Sequence, residues 1–115
     1  METPLQVTFR NIGPSEAIEA KIRERAVRLE HHFDRIVGCR VVVEELHLHH
    51  RKGNHFQVRV DVTVAGAEIV ANREPDAHHS YTDVYTAIRD AFDSIDRQLI
   101  EHARRRDQLA RSRIA

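Results

Sequence analysis

The chain has 115 residues, 41% hydrophobic and 31% charged, enough for one domain with a single core and too apolar for a disordered segment. Lys plus Arg equals Asp plus Glu at 18 each, so the average charge gives no reason to expect a polyanionic partner, and a single cysteine excludes an internal disulfide framework. No run approaches the roughly 18 apolar residues of a membrane span, and METPLQVTF has neither the basic start nor the apolar centre of a signal peptide, so a cytoplasmic protein with no membrane partner is expected.

LQVTF alternates Leu5, Val7 and Phe9 with Gln6 and Thr8 and predicts a short first strand, which NIGPS breaks. Ser15 is placed to cap a first helix, with Glu16 and Glu19 in the first turn, where carboxylates suit the positive end of the helix dipole. Ile18, Ile22, Ala26, Leu29 and Phe33 recur at three- and four-residue spacing, the stripe of a helix lying on a core. CRVVVEELHLHH reads as a second strand with Cys39, Val41 and Val43 inward; Glu45 in the same phase, followed by Leu46 and Leu48, suggests a bulge or twist there.

The next stretch, HLHHRKGNH at 47–55, puts four histidines around a Lys52-Gly53-Asn54 turn signal. Three imidazoles at a strand end can meet a zinc ion, but no fixed second element adds a thiolate or carboxylate, and Cys39 lies in the core phase. The expectation is a polar hairpin tip whose His50, Arg51, Lys52 and His55 touch RNA, with no metal and no cofactor. HFQVRVDVTV then alternates Phe56, Val58, Val60, Val62 and Val64 with polar residues, a strand with one buried and one wet face. Ala65-Gly66 turns into a fourth strand, AEIVAN, with Ile69 and Ala71 inward.

After the loop REPDAHHS, Ser80 and Asp83 have capping-box spacing and predict the start of a long second helix, with Val84, Ile88, Ala91, Ile95 and Leu99 as its core stripe. Arg106 occupies the next core phase, so residues 1–103 are expected to form the domain and 104–115 a basic helical extension or tail. Residues 103–115 hold five Arg against one Asp, which leaves the rest of the chain acidic by the same margin. The order β-α-β-β-β-α predicts an α+β fold: a four-stranded, mostly antiparallel sheet with both helices on one face.

At about 100° per residue, Lys21, Arg25, Arg28 and His32 fall on one flank of the first helix and Glu16, Glu19 and Glu30 on the other. Cations sorted to one flank suit a phosphate backbone; the alternative is a solvated helix laced with i,i+4 pairs. Asp90, Asp93 and Asp96 are expected on the outer face of the second helix. Catalysis is not expected: Cys39 sits in an apolar strand, Ser15 and Ser80 cap helices, and there is no Gly-rich phosphate loop or Cys-x-x-Cys.

EAIEAKIRERAVRLEHHFDRI, the valine-rich strands ending in AGAEIVA, and DVYTAIRDAFDSIDRQL resemble the ribosome hibernation promoting factor and ribosome-associated inhibitor family over about residues 5–103. The resemblance implies a fold like that of double-stranded-RNA-binding domains. It also implies docking on the small ribosomal subunit, in the mRNA and tRNA path at the decoding region, where the family silences idle ribosomes. By position, the family's basic residues match Arg25 and Arg28 on the first helix and Arg97 and His102 on the second. Ser94 and Glu101 stand where relatives often carry Lys, Asp96 adds a carboxylate nearby, and Arg104, Arg105 and Arg106 are placed to compensate. The chain looks like a short form, without the dimerising domain of the long branch. The implied partners are small-subunit rRNA and a second hibernation factor, with no small-molecule substrate. The competing reading is a module of the same fold that binds a protein or a non-ribosomal RNA.

Overall fold

The computed structural model describes residues 1–47, 55–74 and 82–114, and for 113 and 114 the backbone only. Its elements are β1 (Gln6–Arg10), α1 (Glu16–His32), β2 (Ile36–Leu46), β3 (His55–Val64), β4 (Ala67–Arg73) and α2 (Val84–Ile114). The sheet runs β1-β2-β3-β4. β1 pairs with β2 in parallel, joined through α1 because parallel neighbours need a crossover, and the other two pairings are antiparallel.

β3 is the centre of the fold. Val58, Val60, Val62 and Val64 are buried on one face, Val43–Val58 and Val41–Val60 are cross-strand pairs with β2, and Val60–Ala71 is one with β4. Ile18, Ile22, Ala26 and Leu29 of α1 and Ile88, Ala91, Phe92, Ile95 and Leu99 of α2 are buried with them. Both helices therefore lie on the valine face, and each fully buried Val or Leu contributes roughly 1.5–3 kcal/mol. The other face is wet and laced by surface pairs: Arg40 with Glu68 at 3.0 Å, Arg59 with Asp61 at 3.0 Å, Gln57 with Asn72 at 3.0 Å.

Local signals act where the sequence put them, with three corrections. Ser15 caps α1, its Oγ accepting from the Ile18 amide at 3.2 Å, and Gly66 takes φ 77° in the β3–β4 turn. β2 begins at Ile36, not Cys39, so Gly38 lies inside the strand; a Cβ there would stand 2.5 Å from Thr3 Oγ1, which explains the glycine. The expected irregularity at Glu45 is absent: pairing is continuous from Glu44–Gln57 to Leu46–His55, and the register shift falls between Ile36 and Gly38. α2 starts at Val84 with Asp83 as its cap, the carboxylate accepting from the Tyr85 amide at 2.9 Å and from the Thr86 hydroxyl; Ser80 lies outside the described residues. Of the two forms expected for the basic segment after residue 103, the structure shows the helical one. α2 is helical to Ile114, about 46 Å at 1.5 Å per residue, and exposed from Arg104 to Ser112. Among the described residues no helix is long and apolar enough to cross a membrane.

Candidate nucleic-acid interface

The cationic flank of α1 faces α2. Arg25 is buried, its guanidinium 2.7 Å from Asp93 Oδ1 and 3.5 Å from Asp96 Oδ2 and 5.6 Å from the centre of the Phe92 ring. This corrects two expectations. Arg25 is not offered to solvent, and Asp93 and Asp96 do not form an outer acidic face; they are the counter-charges of a seam between the helices. Burial, with Arg25 opposing it and Asp93 adding to it, holds the Asp96 carboxyl above its usual range, and His32 and Arg28 offset only part of the rise. The same forces thus place Arg28 and His32 beside the seam, on its exposed side. Lys21 is partly exposed and pairs with Glu24 at 3.4 Å.

Beyond the seam, where α1 ends, the chain leaves the helix at Phe33 and turns into β2. Here α2 continues past Leu99, and its inward phase, apolar up to that point, becomes His102 and Arg106. The result is a groove of about 270 Å³ rimmed by His32, Arg35, His102 and Arg106, with Asp34 the one carboxylate among the lining residues. Its floor is apolar, with Phe33, Ile36, Val64 and Leu99. Among the described residues, Arg28, Arg35, Arg104 and Arg106 form no ion pair, and all four are exposed.

Arg97 and Arg105 lie on the other side of α2, in a shallow groove against Ile69 of β4 with Glu101, and Glu101 pairs with Arg105 at 3.4 Å. Glu101 therefore neutralises part of that cluster. Ser94 acts within the fold, where its Oγ accepts from Gln98 Nε2 at 3.2 Å and the same amide donates to the Val70 carbonyl at 2.9 Å, tying α2 to β4. Arg51 and Lys52, with His49 and His50, lie outside the described residues; His47 is exposed, and His55 is buried, so it does not present its ring to a solvent-side partner as expected. Cys39 is buried and its thiol is pushed up to about 12, chiefly by burial, leaving it an inert core residue at neutral pH.

The sequence thus identified His32, His102 and Arg106 but not that they meet, and it missed Arg35. The signal for Arg35 was weak, a lone cation in a turn. Its role depends on α2 passing over that turn.

Comparison with known proteins bears on what this surface is for. The chain is 33% identical over 100 residues to a ribosome hibernation promoting factor of Azotobacter vinelandii, covering 85% of this chain and 80% of that one. It is 27% identical over 107 residues to the factor of the same name from Pseudomonas putida, with 91% of each covered. Among solved structures, a ribosomal subunit interface protein from Coxiella burnetii superposes with a TM-score of 0.69 at 17% identity, over 86% of this chain and 96% of that one. The N-terminal domain of Thermus thermophilus Protein Y gives 0.61 at 23% identity, over 85% and 94%. Both share the fold. Residues 5–107 match the family described as Sigma 54 modulation protein / S30EA ribosomal protein, and the chain belongs to that family.

Proposed function

We propose that this protein is a ribosome hibernation factor that associates with the small ribosomal subunit, laying the exposed cations of α1 and α2 along rRNA phosphates at the decoding region and so silencing idle ribosomes. The observation that carries this reading is the groove at the end of α1: four basic side chains from two helices and a turn converge on one surface with a single carboxylate among them, in a chain whose net charge is zero. A neutral protein gains nothing from the average field, so a concentrated patch in which cations outnumber carboxylates is what attracts an anion. The curated relatives carry the name ribosome hibernation promoting factor, which supplies the ribosome as the anion's source.

Within the interface, Arg28, His32, Arg35, His102 and Arg106 contact RNA, with Arg104 and Arg105 extending the contact along α2. Lys21 and Arg97 stand at its margins. Arg25 supports the surface from beneath by holding the helices together. Phosphate contacts orient without reading sequence, so selectivity for the subunit comes from the shape of folded rRNA.

The test is co-sedimentation of the purified chain with small subunits across a salt series. Binding is expected, with log affinity falling linearly against log salt at a slope of several units, because each neutralised phosphate releases counterions. Failure to co-sediment at low salt removes the ribosome, and a non-ribosomal partner for the same surface then becomes the better reading.

A further inference from the structure

The groove at the end of α1 is shaped for more than phosphates. A surface that only positions a sugar-phosphate backbone needs exposed cations, which a flat helix face supplies as well as a cleft. Here the cations ring an apolar floor. Phe33 is half-buried on that floor, and the His32 ring stands beside it at 85° with centroids 6.5 Å apart. Two perpendicular rings make a corner in which a planar group lies against one face and meets the other edge-on. The volume, about 270 Å³, falls just below the roughly 300–1,000 Å³ of pockets that enclose drug-sized ligands, which sets the occupant at about one base.

We infer that this groove receives a single unstacked nucleotide of an RNA strand, its base in the corner of His32 and Phe33 and its flanking phosphates between Arg35 and Arg106. The inference rests on the reading above that the surface binds RNA, and it specifies what part of the RNA enters. An intact duplex offers no such group, since its bases are stacked and paired, whereas loops, bulges and ends splay bases onto aromatic and guanidinium planes. An acidic peptide matches the rim but has no flat face for the corner.

The experiment compares a single-stranded RNA octanucleotide with an abasic ribose-phosphate chain of the same length, so that phosphate contacts are equal and only base contacts differ. The full chain is expected to bind the octanucleotide roughly five- to 150-fold more tightly, the range corresponding to about 1–3 kcal/mol for one stacked base. Ala65, exposed in the β3–β4 turn at the mouth of the groove, provides the control: Ala65→Leu fills the space without adding a charge or a stacking ring and should bind both strands equally. Ala103→Leu does the same from α2 if the first variant folds poorly. Equal affinity of the parent for both strands overturns the inference and leaves a phosphate surface alone. Discrimination that persists in a folded plugged variant also overturns it, because the base then sits elsewhere. Adenosine 5′-monophosphate competing as well as the octanucleotide would assign the groove to a free nucleotide instead. If the parent discriminates the strands yet does not co-sediment with small subunits, the groove stands and the ribosome reading fails.

Discussion

Arg25 and Arg28 sit less than one turn apart on the same flank of α1, yet they belong to two different regions. Arg25 lies in the seam between the helices, 8% exposed at its side chain and held by two carboxylates of α2. Arg28 lies on the exposed margin of that seam, where it forms no ion pair among the described residues, and the groove beyond it has one carboxylate, Asp34, among its lining residues. The comparison teaches that charge sorting along a helix has two sources. A cationic flank can match a partner molecule, or it can match the acidic flank of a neighbouring helix, and the pattern alone does not separate them. Here Arg25 matches the neighbouring helix, and Arg28, less than one turn on, is the residue proposed to match a partner. The seam removes Arg25 from the external field, and the groove concentrates the charge that remains.

The largest expected effect breaks the seam. Arg25→Met keeps the apolar stem over Phe92 but leaves Asp93 and Asp96 facing each other without their cation. Unfolding in urea should show a loss of about 2–3 kcal/mol, below the roughly 3–5 kcal/mol of a fully buried pair because Asp93 is half-exposed. A loss within about 0.5 kcal/mol would mean that Arg25 behaves as an ordinary surface residue, and the contrast with Arg28 would vanish.

Changing the groove should do the reverse. Arg35→Glu with Arg106→Glu, both exposed and both lining the groove, is expected to leave stability within about 0.5 kcal/mol, yet to weaken RNA binding by tenfold or more and to lower the salt slope by about two. Affinity and slope equal to the parent's in a salt titration would return these arginines to solvated surface.

A smaller effect tests how α2 is positioned over the sheet. Gln98→Ala removes the amide that joins Ser94 and the Val70 carbonyl and should cost about 1 kcal/mol in the same unfolding assay. An unchanged midpoint would show that the apolar stripe positions α2 unaided.

The smallest effect near neutral pH, and a control remote from both regions, is Cys39. Its thiol is raised from 9.0 to about 12 in the folded chain by burial, so the folded state favours the protonated form. The stability this contributes is fully present below pH 9 and is lost as pH rises from there toward 12. Stability of the parent should therefore decline across that window more steeply than that of Cys39→Ala, and thiol reagents at pH 8 should label Cys39 only at the rate of opening. Parallel pH profiles for the two proteins would refute the burial argument.

Much of the architecture was legible because it is written in short-range periodicity. Alternation from Phe56 to Val64 selects a strand with one dry face, the spacing of Ile18 to Leu29 selects a helix stripe, and Ser15 and Gly66 act through their own backbone neighbourhoods. These features depend on intervals of two to four residues, which the chain carries whatever it packs against. The misplacements are of another kind. α2 starts at Val84 with Asp83 as its cap, and Gly38, inside β2, stands against Thr3, a residue from a distant part of the chain.

The interface is the part that only tertiary structure decided. The sequence by itself supplied the cations of α1 and α2 and their grouping on one flank. It did not hold the rotation of each helix about its axis relative to the other, on which every pairing between them depends. That rotation is set by how both apolar stripes fit one valine face, and it brings Asp93 to Arg25 across 68 positions of chain while carrying His102 and Arg106 over Phe33 and Arg35. Counter-charge and exposure follow from it, so which arginine is structural and which faces a partner is a property of the packed core rather than of the residue or its place in the sequence.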